Sequence, residues 1–154
     1  MYHAIVRWQV QKTFEQFNRG DFLSVQKKMT DRLEIHQMFQ QDHALGGKRH
    51  TRAAAARWYA RLVKIFPHIH FAVSDIQVKG WPWHTVITAH WQDTLTLADD
   101  VTMQNQGWHR ITMRWLKITG VEMMTDETIA AAAIAHQAQH GIIEAQQLPI
   151  TDSF

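Results

Sequence analysis

The stretch from Trp81 to Asp126 constrains the fold most, because its extended runs are joined only by short connections. It predicts three successive strands of a curved antiparallel sheet. The one plausible turn in its second half lies at Trp115 and Leu116, so we expect Arg114 to pair with Lys117. Residues that pair directly across two strands share a face of the sheet. This register therefore predicts which side chains point toward a core.

The register places four polar residues among apolar ones on one face, namely Asn105, His109, Glu122 and Asp126 with Ile111, Met113, Ile118 and Met124. The opposite face includes Trp108, Val121 and Met123 and carries three formal positive charges, which suits solvent or a partner better than a core. We therefore expect the four polar residues to line a small-molecule pocket. The alternative is that they are hydrogen-bonded structural pairs, His109 with Glu122 and Asn105 with Asp126.

The preceding hairpin extends the same face. If residues 98–100 form its loop, Leu97 pairs with Val101, and Trp91 lies on the inner face opposite Gly107. A large ring would then lie over a glycine. A bulge or a slip of one residue would reverse these assignments.

Composition limits the class of protein. A chain of 154 residues with 45% hydrophobic and 19% charged residues is sized for one soluble globular domain. The net charge of +2 is too small to indicate a nucleic-acid partner. The absence of cysteine excludes disulfides and cysteine-based zinc sites. Nothing resembles a signal peptide or a membrane span, so we expect a cytoplasmic protein without a membrane partner.

The 11 histidines raise the question of a metal site. His136 and His140 are four residues apart on a predicted helix, and His68 and His70 are two apart on a predicted strand, so each pair shares a face. The sequence places no third ligand beside either pair. We therefore expect solvated polar faces, with no metal and no cofactor.

The segments before Trp81 predict the order helix, helix, strand, helix, strand. Thr13 lies on the apolar stripe of the first helix. The glycine-rich segment 46–49 predicts a loop. Thr51 can cap the third helix that follows, which carries Trp58 and Tyr59 on its apolar side.

The pattern changes again after Asp126. An alanine-rich helix is predicted from Ile129 to about His140, and Asp126 can cap it. Residues 142–154 give no readable pattern.

Short markers fall at the predicted turns and helix ends. They are Gly20-Asp21, Gly47, Phe66-Pro67, Gly80-Trp-Pro-Trp-His-Thr85, Asp99, Asn105-Gln-Gly107, Met113-Arg-Trp115, Lys117-Ile118 and Asp126 with Thr128 nearby. Together with the order of elements, they resemble the nuclear transport factor 2-like superfamily and, within it, the SnoaL-like proteins related to ketosteroid isomerase. The resemblance covers about residues 5–128.

The resemblance implies an α+β fold in which a cone-shaped, curved antiparallel or mixed sheet wraps around three N-terminal helices. This cystatin-like α+β barrel would occupy residues 1–128. Residues 129–154 would add a C-terminal helix and tail to the same domain. The superfamily commonly pairs through the outer sheet face, and a face with Trp108, Val121 and Met123 is too apolar to be wholly solvated, so we expect a homodimer.

Departures from the family pattern bear on the reaction. Steroid isomerases use a tyrosine and a carboxylate at positions that resemble Thr13 and Gln37 here, so their chemistry is not supported. Epoxide hydrolases of this fold need two aspartates bridged by an arginine, and the predicted inner face has no arginine. The polyketide-cyclase arrangement is the most similar, and it implies Asp126 as acid and base with His109 nearby. The alternative for Asp126 is the helix cap.

Two classes of function stay open. The first is an enzyme of the isomerase, cyclase or hydrolase kind that acts on an apolar carbonyl compound. The second is a non-catalytic binding or assembly module. In either case we expect a small apolar ligand, held by the pocket residues Asn105, Glu122, Trp91, Met124, Trp58, Tyr59 and Thr13.

Overall fold

The structure is a computed structural model and describes residues 1–152. Within this range the chain forms four α-helices: α1 (Tyr2–Asn18), α2 (Phe22–Lys27), α3 (Arg52–Ile65) and α4 (Glu127–Gln139). Its six strands are β1 (Met29–Gln37), β2 (Gly47–Thr51), β3 (His70–Trp81), β4 (His84–Thr96), β5 (Thr102–Arg114) and β6 (Lys117–Thr125). A short 3₁₀ helix, Ile143–Gln146, follows α4.

The strands form one curved, open sheet in the order β2-β1-β6-β5-β4-β3. Strands β1 and β6 run parallel, and the other neighbouring pairs run antiparallel. Helix α1 packs against β3, and α3 packs against β1 and β2. The hydrophobic core lies between these helices and the inner face of the sheet, which confirms the predicted cone-like α+β architecture.

The predicted helix stripe and caps are present. Helix α1 buries Val6, Val10, Phe14 and Phe17, which are spaced three and four residues apart. The Thr51 hydroxyl accepts a hydrogen bond from the backbone N–H of Ala54 at 3.2 Å and so caps α3. None of the helices within residues 1–152 is long and apolar enough to cross a membrane.

The hairpin of β4 and β5 has the predicted register. The backbone N–H of Leu97 donates to the carbonyl of Val101 at 2.8 Å, and Trp91 pairs with Gly107. A Cβ added to Gly107 would come within 2.9 Å of Cζ2 of Trp91 and 2.1 Å of the carbonyl oxygen of Met124. The large ring therefore does lie over a glycine, and no other residue fits there without movement of the backbone.

The hairpin of β5 and β6 begins with the predicted register and then departs from it. Arg114 pairs with Lys117 as expected, but Thr112 pairs with Gly120. The extra residue on β6 is Thr119, which makes a β-bulge. Every pair beyond the bulge is shifted by one residue.

This bulge reverses the predicted faces of β6. His109 now pairs with Met123, and Trp108 pairs with Met124. Met123 and Val121 are buried on the inner face, where the sequence had predicted Glu122 and Met124. The inward prediction was therefore wrong for Glu122 and Met124, because a one-residue insertion exchanges the two faces of a strand.

The segment 46–49, predicted as a loop, leads into strand β2. Arg49 on this strand is 0% exposed, and its guanidinium donates to the backbone carbonyls of Gly46, Gly47 and Ile150. This short segment with two basic side chains gives no strand pattern in the sequence. The buried charge of Arg49 is stabilised in part by the carbonyl of Ile150, which only folding brings to it.

The C-terminal tail, which gave no pattern in the sequence, packs back on β2. The Asp152 carboxylate accepts a hydrogen bond from the backbone N–H of His50 at 2.6 Å. The Arg61 guanidinium donates to the carbonyl of Leu148, also at 2.6 Å. Residues 153 and 154 of the predicted tail lie outside the described range.

We predict that Gly107→Ala destabilises the protein by about 2 to 4 kcal/mol, because the new methyl group would collide with backbone and with Trp91. The matched control is Gly120→Ala, whose Cβ would meet its nearest atom at 3.6 Å and should change stability by less than about 1 kcal/mol. Urea denaturation of both variants measures the difference. Equal stability of the two variants would contradict the close approach of Trp91 to the strand.

Candidate functional site

An apolar cavity of about 110 Å³ lies between the inner face of the sheet and helices α1, α3 and α4. Its walls include Phe14 and Phe17 from α1, Leu62 from α3, and Ile134 from α4. An engineered apolar cavity of about 150 Å³ binds benzene in another protein, so this volume suits a compound of about one ring.

Six of the predicted site residues line the cavity: Thr13, Trp58, Tyr59, Trp91, Asn105 and His109. Glu122 and Met124 do not, because the bulge at Thr119 turns them to the outer face. Only part of the predicted site is therefore formed. The site residues on β4 and β5 line the cavity, whereas those on β6 lie on the outer face of the sheet.

Asp126 does not line the cavity either. Its side chain is exposed and accepts a hydrogen bond from the backbone N–H of Ile129 at 3.3 Å, which caps α4. Asn105 donates from its side-chain amide to the backbone carbonyl of Asp126 at 3.1 Å and does not contact the carboxylate. The alternative considered from the sequence, a helix cap, is the geometry that the structure shows.

His109 lies in an aromatic cage at one wall of the cavity. Its ring centroid is 5.3 Å from that of Phe14, 6.2 Å from that of Phe71 and 5.6 Å from that of Trp91. The Trp91 indole N–H donates to Nδ1 of His109 at 2.7 Å. Since Nδ1 accepts this bond, a neutral His109 ring carries its proton on Nε2.

Burial lowers the pKa of His109 to about 3, so the imidazole is neutral at physiological pH. The bond to Nδ1 is the only hydrogen bond of the His109 ring within residues 1–152, so Nε2 has no partner there, and His109 lines the cavity. His109 therefore offers a ligand one uncharged N–H donor. A His with this pKa is a poor base at neutral pH.

The cavity also contains a carboxyl group that the sequence analysis missed. Asp93 on β4 pairs with Asn105 and is only 7% exposed. Its carboxyl accepts a hydrogen bond from the backbone N–H of Asn105 at 3.1 Å. The predicted register of β4 and β5 already placed Asp93 on the inner face with Trp91, so the signal was present: a charged residue at an inward position of an otherwise apolar alternation.

Burial raises the pKa of Asp93 to about 6, and the hydrogen bonds to its carboxyl oppose the rise without cancelling it. A rise of about two pKa units corresponds to roughly 3 kcal/mol. Because the pKa is higher in the folded state, Asp93 stabilises the fold most below pH 3.8, and this contribution is lost as the pH rises through about 6. The fold therefore keeps an acid in the cavity at a cost in stability near neutral pH.

Tyr59 supplies a third polar group. Burial raises the pKa of its phenol to about 12, so the hydroxyl stays protonated. This hydroxyl has no hydrogen-bond partner in the part of the chain that the structure describes. Tyr59 is thus a second uncharged donor at the cavity wall.

Asp93 and His109 are not a hydrogen-bonded pair. His109 pairs with Ala89, and Asp93 is four residues further along β4, or about 13 Å at the usual rise of a strand. Both residues line the same cavity, at different positions along the sheet. A bound molecule would therefore meet the acid at one end and the neutral N–H donor at the other, whereas a single metal ion could not bind both groups.

No protein-family model matches the sequence, and no curated protein matches it. Solved structures do match its fold. An NTF2-like protein of unknown function from Burkholderia pseudomallei K96243 superimposes with a TM-score of 0.71 at 14% identity, over 83% of this chain and 95% of that one.

Two further neighbours carry functional names. A protein from Jannaschia sp. CCS1, provisionally named a SnoaL-like polyketide cyclase, has a TM-score of 0.66 at 14% identity over 85% of this chain and 92% of its own. The epoxide hydrolase/cyclase-like enzyme SalBIII, which has a role in pyran-ring formation in salinomycin, has a TM-score of 0.68 at 13% identity over 82% and 94%. The chain therefore has the NTF2-like fold that SnoaL-like proteins share, as the sequence markers predicted.

Proposed function

We propose that this protein is an isomerase- or cyclase-type enzyme that moves a proton on a small apolar carbonyl compound, with Asp93 as the acid and base. The observation that carries the proposal is the buried Asp93 carboxyl, whose pKa of about 6 suits proton transfer near neutral pH. Asp93 takes the role that the sequence analysis assigned to Asp126. His109 keeps a role, as a hydrogen-bond donor and not as a base.

The chemistry follows from the protonation states. At pH 7 most Asp93 side chains are ionised, so the carboxylate removes a proton from the carbon next to a ligand carbonyl. The electrons of that C–H bond form a carbon–carbon double bond, and the carbonyl oxygen becomes an enolate oxygen. Asp93 then returns the proton to another carbon, which isomerises the ligand. In a cyclase, the enolate carbon would instead attack a second carbonyl of the same ligand, whose C=O π electrons move to its oxygen, and Asp93 would return the proton to that alkoxide.

The enolate oxygen needs a donor that does not itself lose a proton. His109 meets this requirement because its pKa of about 3 keeps the ring neutral, with a proton on Nε2. Tyr59, with a pKa of about 12, meets it as well. Uncharged donors held in a site without bulk water stabilise developing negative charge more strongly than they would in water.

The cavity also limits the size and polarity of the ligand. A volume of about 110 Å³ with mostly apolar walls favours a compound of one ring or a short chain. Its acidic C–H would lie near Asp93, and His109 or Tyr59 would donate to its carbonyl oxygen. Two structural neighbours of the same fold carry cyclase names, which favours a reaction of this type.

We predict that the wild-type protein exchanges the acidic C–H protons of a small ketone or 1,3-dicarbonyl compound for deuterium in D₂O, measured by NMR. Asp93→Asn should slow this exchange at least ~100-fold, because the amide cannot accept the proton. Asp126→Asn is the matched control. It should leave the exchange unchanged and stability nearly so, since Asn caps a helix about as well as Asp.

A loss of exchange in Asp126→Asn but not in Asp93→Asn would restore the assignment made from the sequence. Exchange by neither the wild type nor any variant, for compounds that raise the melting temperature, would instead favour the non-catalytic binding module.

We also propose that the protein is a homodimer that pairs through the outer face of the sheet. Val121 and Met123, which first suggested this face, are buried inside. Trp108 stays on the outer face as predicted, and Met124, directly opposite it, takes the place of the two buried residues and keeps this surface apolar.

Light scattering at micromolar concentration should give twice the chain mass of 18.0 kDa. Trp108→Glu should reduce the mass to that of one chain, because a charge would be buried in the interface. Trp83→Glu, at a 55% exposed position in the turn between β3 and β4, is the matched control and should leave the dimer intact. A monomeric wild type would rule out the dimer.

A further inference from the structure

We propose that Asp99, His136 and His140 form a binding site for a divalent transition-metal ion of the zinc class, at the junction between α4 and the loop that joins β4 to β5. Each of these three residues offers one ligand atom, and the three atoms lie within 4.8 Å of one another. The site is separate from the cavity residues and does not depend on the proposed reaction.

The two histidines are arranged as a chelating pair. His136 lies in the last turn of α4, and His140, four residues further on, is the C-cap residue of the helix, so the two side chains lie on the same side of the helix end. Their ring centroids are 4.2 Å apart with an angle of 24° between the planes. The two rings are therefore adjacent, and each offers a nitrogen within 4.8 Å of the other ligand atoms of the site.

The third ligand comes from a different element. The Asp99 carboxylate lies 2.9 Å from Nε2 of His136. In a tetrahedral zinc site with bonds of about 2.0 to 2.1 Å, two ligand atoms are about 3.3 Å apart. A shift of about half an ångström would therefore admit an ion between Asp99 and His136. Both residues are at least partly exposed, so their side chains can make this adjustment.

A further hydrogen bond prepares His140 as a ligand. Its Nδ1 lies 2.8 Å from the backbone carbonyl of His136 and must donate to it, because a carbonyl oxygen only accepts. The proton of a neutral His140 ring is therefore on Nδ1, and the lone pair of Nε2 is free. Histidines that bind metals in proteins are commonly held this way, with the second ring nitrogen donating to a carbonyl or carboxylate.

The donor set defines the chemical class of the ion. Two imidazoles and one carboxylate are the ligands of many zinc sites, and they leave a fourth position for water. The same nitrogen donors favour Ni²⁺ and Cu²⁺ over Ca²⁺ or Mg²⁺, which prefer oxygen ligands. The histidine pair is visible in the sequence, but its third ligand is not, because Asp99 is 37 residues from His136 in the chain and only folding brings it to the pair.

The position of the site gives the ion a structural consequence. Gln137, next to His136, already joins α4 to the rest of the fold: its buried amide accepts from the N–H of Ala98 at 2.8 Å and donates to the carbonyl of Ile65 at 2.7 Å. An ion held by Asp99 and the two histidines would add a second link between α4 and the same loop. Because Ile134 of α4 lines the cavity, the ion would hold this wall in place.

The test uses the full chain, freed of metal with a chelator, and Zn²⁺ as the probe. Competition with a chromophoric chelator should show one tightly bound Zn²⁺ per chain, and Zn²⁺ should raise the melting temperature in a concentration-dependent way. Asp99→Asn, His136→Gln and His140→Gln should each weaken binding at least ~10-fold. Circular dichroism verifies that these variants remain folded.

The second histidine pair, His68 and His70, provides the matched control, because no third metal-binding side chain lies with it within residues 1–152. The double variant His68→Gln/His70→Gln should bind Zn²⁺ as tightly as the wild type. The proposal fails if the wild type does not bind Zn²⁺ at a ratio of one, or if Asp99→Asn binds it with unchanged affinity. Equal losses in the control pair and in the proposed site would also overturn it.

Discussion

The contact between Trp91 and Gly107 is the constraint on which the candidate site depends. The indole lies against the glycine at a distance that leaves no room for a Cβ, and this approach lets its N–H reach Nδ1 of His109 at 2.7 Å. One ring therefore fixes three things: the register of β4 and β5, the tautomer of His109, and the apolar wall between His109 and Asp93. A smaller residue at position 91 would leave Nδ1 without its donor and the cavity open at that point.

The same apolar surroundings act in opposite directions on the two titratable groups. Burial disfavours the charged form of each, so the pKa of His109 falls to about 3 while the pKa of Asp93 rises to about 6. The result is a neutral donor and an acid that titrates near physiological pH in one cavity. The hydrogen bond from Asn105 opposes the shift at Asp93, but desolvation is the larger effect. Because the two pKa values are shifted in opposite directions, one site can hold both a proton acceptor and a neutral hydrogen-bond donor to an oxyanion.

The sequence predicted the architecture well because periodicity and turn chemistry act locally. The stripe of α1, the cap of α3 and the complete pairing of β4 with β5 follow from residues close in the chain. The bulge at Thr119 moved Glu122 and Met124 out of the site. Gly120 directly follows it, but a glycine inside a strand does not by itself show that a residue is inserted there. Asp93 could have been found from the correct register, whereas the placement of Asp99 beside His136 requires the tertiary fold.

The central claim is that a carboxyl group with a raised pKa lies in an apolar cavity, and the titration of Asp93 tests it most directly. Carbon-13 NMR of the side-chain carboxyl, assigned by comparison with Asp93→Asn, would follow the group from pH 3 to pH 8. The account predicts a midpoint near 6, together with a stability difference between wild type and Asp93→Asn that moves against the wild type as the pH rises through this value. A midpoint close to the ordinary value of 3.8 would contradict it, because such a group would be solvated and could not serve as the buried acid.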